Sequence, residues 1–191
     1  ARIVETLRTA LAMGADEAVA IDAPEDLDSG TTATALAAAI KAEGEFGAVF
    51  TGKLAIDDNL SAVSQMLAEN LAIPHATVVS KLEFGDQFTA EREIEGGTKE
   101  IIQLSKPALI GANKGLNMPR YPSLPGIMKA KKKVIKELTL DGLGVSTAQA
   151  SFKLTGFQLP PEKPPVKMID GDAGVQAKTL ASLLRQEAKV L

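Results

Sequence analysis

Residues 46–72 read Phe46-Gly47-Ala48-Val49-Phe50-Thr51-Gly52-Lys53-Leu54-Ala55-Ile56-Asp57-Asp58-Asn59-Leu60-Ser61-Ala62-Val63-Ser64-Gln65-Met66-Leu67-Ala68-Glu69-Asn70-Leu71-Ala72. The apolar run Phe46 to Thr51 stops at Gly52, and over 58–72 Leu60, Val63, Leu67 and Leu71 fall on one helical face. Strand, glycine-bearing loop and helix are the unit from which an α/β sheet is built. Upstream, Glu17 to Asp22 reads as a short strand closed by Pro24. The alanine-rich stretch 31–43, with Leu36, Ala39 and Ile40 on one face and Gly44 behind it, reads as a helix suited to close packing. Strands alternating with helices at these spacings predict an α/β fold with a mostly parallel sheet, helices on both faces and right-handed crossovers.

Downstream the period changes. Ala76 to Phe84, Phe88 to Ile94 and Lys99 to Leu104 are strand-like runs separated by Gly85-Asp86 and Gly96-Gly97, which predict an inserted meander. The charges of the middle run place one side against solvent or another protein. The sheet resumes at Ala108 to Ala112. Residues 113–126 hold Gly115, Pro119, Pro122, Pro125 and Gly126 and read as a stiff irregular loop, followed by the basic run Lys129 to Lys133. From 146 to 170, Pro160, Pro161, Pro164 and Pro165 describe an extended arm, with a last helix over 172–190. The expected organisation is an α/β domain over 1–145 and an arm over 146–191. Because Ile3, Leu7, Ala10 and Leu11 open the chain in helical register before Gly14, the pattern also predicts that earlier strands of a larger fold precede it.

Composition removes several classes of chemistry. The 191 residues are 45% hydrophobic, enough to bury a core, and no stretch approaches the ~20 apolar residues of a membrane span. Membrane insertion is not expected. Without cysteine there are no disulfides, thiolate metal sites or cysteine nucleophile, and a lone His75 cannot build a multi-histidine metal centre or supply most triads. A formal charge of -3 lacks the broad positive field of a duplex binder, and a chain with no Trp and one Tyr lacks stacking platforms for single strands. Nucleic acid is not an expected partner.

Two segments remain as candidates. Gly52 to Ser61 runs from a strand end into a helix, where a parallel sheet places its ligands and where exposed amides attract phosphate. The plainer alternative is that Asp57 or Asp58 caps the helix. Spacing matches neither a GxGxxG fingerprint nor a P-loop. The second segment, Asn117 to Lys133, combines Tyr121, Leu124, Ile127 and Met128 with prolines and lysines. A preordered apolar loop flanked by cations suits partner docking and steering, and the alternative is a solvated helix start. Glu91, Arg92, Glu93 and Glu95 read as an exposed hairpin rather than paired acid-base groups, and His75 as a strand-entry residue.

Together the segments resemble the beta subunit of electron-transferring flavoproteins. The resemblance is carried by Thr9 to Asp16, Gly52-Lys53 with Ala55-Ile56-Asp57-Asp58, Gln65-Met66, Arg92 to Gly97, Pro119-Arg120-Tyr121, and Leu124-Pro125 with Ile127 to Lys133. It implies a Rossmann-like, adenine nucleotide alpha-hydrolase-like fold and a heterodimer whose alpha subunit holds most of the FAD. AMP would sit structurally on Gly52, Lys53, Leu54, Ala55, Ile56, Asp57, Asp58, Asn59, Leu60, Ser61, Ala62 and Val63. A recognition loop would comprise Tyr121, Leu124, Pro125, Ile127, Met128, Lys129, Lys131, Lys132 and Lys133, with Leu124 as the anchor in a dehydrogenase pocket.

The resemblance further implies electron transfer from acyl-CoA dehydrogenases, as in fatty acid beta-oxidation, to a quinone oxidoreductase. This subunit would transform no metabolite itself and would have no catalytic or metal-binding residues. The compartment would be bacterial cytoplasm, or mitochondrial matrix in a eukaryote. Ser61-Ala62-Val63 departs from the family's polar Asn-Gln-Thr, so the phosphate grip would rest on backbone amides and Ser61. Asp57-Asp58 differs from the Asp-Gly of relatives with a second FAD. The rival on the same fold is a stand-alone adenine-nucleotide sensor or hydrolase using the 52–61 loop. A nucleic-acid binder using Lys129 to Lys136 is a third and weaker reading.

Overall fold

The computed structural model describes residues 2–152 and 155–190. The chain divides into two compact units, Ala1–Leu154 and Thr155–Leu191. In the first unit the elements run α1 (Arg2–Ala12), β1 (Val19–Asp22), α2 (Ser29–Glu43), β2 (Ala48–Gly52), α3 (Val63–Leu71), β3 (His75–Phe84), β4 (Phe88–Glu93), β5 (Lys99–Leu104), β6 (Ala108–Ala112), α4 (Leu124–Lys132) and β7 (Lys136–Thr139).

The expected α/β class is the observed one, with parallel and antiparallel pairing mixed. Five strands form one sheet in the order β2-β6-β3-β4-β5, and β1 pairs with β7 in a second, two-stranded parallel sheet. β6 lies parallel to both β2 and β3. The meander appears where the glycine pairs placed it, β3 to β4 to β5 being antiparallel. Along it, Leu82, Ala90 and Ile102 pair across one face and join a core containing Val79, Phe88, Leu104 and Ile110. Lys81, Glu91 and Lys99 belong to the charged face, as strand alternation requires.

α2 is the centre of the unit. Asp28 caps it, its carboxylate accepting from Thr31 N–H at 2.9 Å, and Gly44 at φ 100 ends it. Ala33 and Ala37 pack with Leu67, Ala68 and Leu71 of α3 and with Leu109 of β6. Ala35 and Ala38 pack with Leu140, Val145, Ile21 and Leu27. A helix with small apolar side chains all round is one buried on more than one side, and alanine permits the close approach.

Three boundaries differ from expectation. α3 begins at Val63, not 58, because Asn59 and Ser61 hold positive φ values of 54 and 51 that no continuous helix accommodates. Residues 124–126, assigned to an irregular loop, instead open α4: Ser123 Oγ accepts from Gly126 N–H at 3.1 Å, and Pro125 sits in the first turn, where its missing N–H costs nothing. The arm also starts later than 146, since Ser151 N–H donates to Asp28 Oδ2 at 2.8 Å and Val145 is buried.

The second unit has no strand or helix among its described residues until Asp172 caps α5 (Ala173–Gln186), the last helix foreseen near 172–190. Phe157, Leu159, Val166 and Met168 are all highly exposed along its extended part.

Candidate functional site

The loop between β2 and α3 is built by short local bonds. Asp58 N–H donates to Asp57 Oδ1 at 3.1 Å and Leu60 N–H to Asp58 Oδ1 at 3.0 Å. Asn59 N–H closes a turn on Ala55 O at 3.1 Å. The two aspartates therefore fold the loop and do not cap α3; its cap position is Ala62, with no side-chain hydrogen bond. The first-turn amides of α3 consequently lack a capping side chain, which suits an external anion. Leu60, expected on the helix face, lies in the loop and is 54% exposed.

The base of the loop is tied to β2. Thr51 Oγ1 and Ser64 Oγ share a hydrogen bond of 2.8 Å, and Ser64 Oγ also lies 3.2 Å from Gly52 O. Ser61 Oγ donates to Lys53 O at 3.1 Å. Its hydroxyl hydrogen is engaged, and Lys53 is the exposed cation beside it. Nothing lies within 4 Å of the place a Cβ would occupy at Gly52, so the strand end opens onto free space. Lys53, Leu54, Ala55, Ile56, Asp57, Asp58 and Asn59 are all exposed around it, and Ala62 and Val63 are half-buried where the helix begins. The opening and the exposed Lys53 leave room for an anionic group. Thr51 and Ser64 were missed in the sequence because hydroxyl residues at a strand end and inside an apolar helical stripe carry no spacing signal.

From Leu124 to Lys132 the second segment is a capped helix, preceded by an irregular stretch that carries Tyr121, and the two faces of the helix differ. Gly126, Ala130 and Lys133 are spaced i, i+4, i+7 and face α1, Ala130 being buried with Leu11 and Ala12. Leu124, Met128 and Lys131 repeat the same spacing on the outer side. Leu124 is 79% exposed and the preceding Tyr121 93%. Pro125, Lys129, Lys131 and Lys132 are exposed, and Ile127 lies at the margin between the faces. Lys133 differs from its neighbours: Nζ donates to Ala15 O at 2.8 Å and Asp16 O at 2.7 Å. Arg8 also holds α4 and was not found in the sequence, since nothing around it marks a contact made more than a hundred residues away.

Away from these segments the charged groups are structural. Glu91 pairs with Lys99 at 2.7 Å, which raises the lysine above its ordinary range, and Lys81 and Glu83 pair at 2.7 Å, raising one and lowering the other. His75 is the exposed first residue of β3. Asp28 is held below its ordinary value by the Thr31 side chain and the Ser151 and Thr31 backbone N–H groups. Among the described residues no helix is long and apolar enough to cross a membrane.

Comparison with known proteins shows the family. The family model described as "Electron transfer flavoprotein domain" matches residues 2–143. The chain is 47% identical over 191 residues to the electron transfer flavoprotein subunit beta of Bacillus subtilis (strain 168), the match spanning 97% of this chain and 74% of that protein. It is 39% identical over 194 residues to the mitochondrial electron transfer flavoprotein subunit beta of Oryza sativa subsp. japonica, spanning 98% of this chain and 73% of the relative. The corresponding subunit of Mus musculus is 38% identical over 191 residues, spanning 97% and 71%.

Proposed function

The chain belongs to the electron transfer flavoprotein family, whose beta subunits it resembles along almost its whole length, and from this premise we propose that it is the adenylate-holding, partner-docking subunit of a heterodimeric electron carrier. The observation that carries this reading is α4: its inner stripe is buried on α1, while Leu124 stands 79% exposed beside a row of exposed lysines. An apolar side chain left in water on a rigid, charge-flanked helix is suited to fill a pocket on another protein. Lys129, Lys131 and Lys132 draw an acidic partner in, Leu124 and Tyr121 then lose their exposed area to it, and Pro125 and the Ser123 cap limit the ordering that docking requires.

In this reading the donors are acyl-CoA dehydrogenases of fatty acid beta-oxidation and the acceptor is a quinone oxidoreductase. FAD, held mainly by the alpha subunit, supplies the redox chemistry. AMP would be structural: the uncapped amides of α3 and Lys53 would hold its phosphate, with Gly52 leaving the strand end open. Asp57 and Asp58 shape the loop and Ser61, Ser64 and Thr51 pin its base. The exposed Phe157, Leu159, Val166 and Met168 of the second unit are the surface an alpha subunit covers. Relatives in a bacterium and a mitochondrion favour the cytoplasm or the mitochondrial matrix as the compartment.

Co-expression with a flavoprotein alpha chain tests the proposal. Gel filtration should give one peak in which both chains and the FAD absorbance coincide, and nucleotide extracted from that peak should be AMP beside FAD. A chain that elutes alone refutes the carrier assignment. A heterodimer without AMP refutes the assignment of 52–63.

A further inference from the structure

The five-residue basic run is not uniform, and its last member is turned the other way. Within α4, residues three and four apart share a face, so Lys131 falls with Leu124 and Met128 on the outer stripe, whereas Lys133, the C-cap residue with an extended ψ of 140, follows Gly126 and Ala130 of the stripe against α1. The hydrogen bonds agree. Lys133 Nζ donates to Ala15 O at 2.8 Å and Asp16 O at 2.7 Å, the carbonyls of the turn that follows α1. From the opposite side, Arg8 Nη1 of α1 donates to Ala130 O and Lys133 O at the end of α4. Carbonyls at a helix end carry partial negative charge and have a lone pair to spare, which makes them natural acceptors for cations; Ala130 O accepts from both the Lys133 N–H and Arg8. Lys129, Lys131 and Lys132 have no such intramolecular hydrogen bond among those described.

The two helices also approach closely. A Cβ at Gly126 would lie 2.4 Å from Ala12 O, and the Arg120 guanidinium lies over Gly14, 3.5 Å from where its Cβ would stand. The segment before α4 and the segment after α1 are thus packed at the same corner that the two cations bind.

We propose that Arg8 and Lys133 form a reciprocal clamp, each cation binding the end carbonyls of the other's segment, and that this clamp positions α4 for docking. Lys133 is a positioning residue, and the charges that meet an acidic redox partner are Lys129, Lys131 and Lys132. This rests on the reading of α4 as a docking helix. The clamp consists of direct hydrogen bonds from cations to carbonyls, so salt weakens it less than it weakens steering between exposed charges farther apart than a screening length.

The test uses the co-purified heterodimer and two independent readouts. Amide hydrogen exchange over 124–132 in the free heterodimer reports the clamp. The dependence of the flavin reduction rate on ionic strength, with an acyl-CoA dehydrogenase as donor, reports steering. Lys133→Met is expected to speed exchange over 124–132 by about tenfold or more, the size of effect that loss of a hydrogen bond to a charged group produces, while leaving the salt slope as in the wild type. Lys131→Met is expected to do the reverse. Arg8→Met should raise exchange like Lys133→Met, and the double variant should exceed neither by the full sum, because the two bonds secure one contact.

Wild-type exchange in Lys133→Met together with a flattened salt slope would overturn the proposal. If Lys133→Met does not assemble, Arg8→Lys is read instead: intermediate exchange supports the clamp, and wild-type exchange overturns it. Should Lys129→Met, Lys131→Met and Lys132→Met all leave the salt slope untouched while Lys133→Met still loosens α4, the clamp stands and the docking assignment fails.

Discussion

Replacing Leu124 with alanine isolates the contact on which docking depends. The substitution removes three carbons, each worth about 0.8 kcal/mol when buried. With the residue 79% exposed in this chain, about that fraction of the gain is still to be made on meeting a partner. The loss is then about 1.9 kcal/mol, roughly a 20-fold weakening of docking. The same exposure means that the fold has little to lose, and alanine at the first helical position is a good helix former. Steady-state reduction of the heterodimer's flavin by an acyl-CoA dehydrogenase should therefore show KM raised about 20-fold, with FAD content and Tm unchanged. A KM within about twofold of wild type would refute the anchor assignment, since it would leave less than a quarter of the expected energy. A fall in Tm alongside the KM change would show that Leu124 supports this chain's own packing, contrary to its exposure.

Three further outcomes follow from the packing and charge. Leu67→Ala, at a fully buried site of α3 packed against α2 and β6, should cost about 2–5 kcal/mol in urea unfolding of the chain; a loss below about 1 kcal/mol would contradict the packing. Asp28 has its folded pKa lowered from 3.8 by Thr31 and Ser151, so its stabilisation is complete above the unfolded value and disappears as pH falls through the folded one. Thermal melts taken from neutral to acid pH should show a smaller acid loss in Asp28→Asn than in the wild type, and superimposable acid limbs would count against the tether. Lys131→Gln and Lys132→Gln should each slow dehydrogenase-linked reduction at low salt and converge on the wild-type rate at high salt; a deficit that persists at high salt would point to a packing role instead.

The elements most legible in the sequence were those whose causes are local. The alanine repeat and Gly44 mark α2, the glycine pairs mark both hairpins of the meander, and Asp172 marks the start of α5, each through backbone preferences acting within a few residues. The beginning of α3 was misread for a physical reason. Leu60, Val63, Leu67 and Leu71 keep helical spacing across the boundary, but the side chains of Asp57 and Asp58 bind their own backbone and Asn59 and Ser61 turn left-handed, so the amides at Val63 are left free. Apolar spacing records which side chains would share a helical face, not whether the backbone between them is helical. The segment proposed for docking stands out by residue type and order, yet its prolines and glycines read as a loop and conceal a Ser123-capped first turn.

By itself the sequence determined the family, the α/β class and the inserted meander, and singled out the two segments proposed for nucleotide and partner, because composition, periodicity and motif order are properties of neighbours along the chain. Only the tertiary structure decided that β1 pairs with β7 and β2 with β6, that Ser151 belongs with Asp28, and that Lys133 faces inward while Lys131 faces out. Those outcomes depend on which groups meet across about 60 residues or more. A carbonyl seeking a donor at the end of one helix leaves no mark on the spacing of the helix that supplies it.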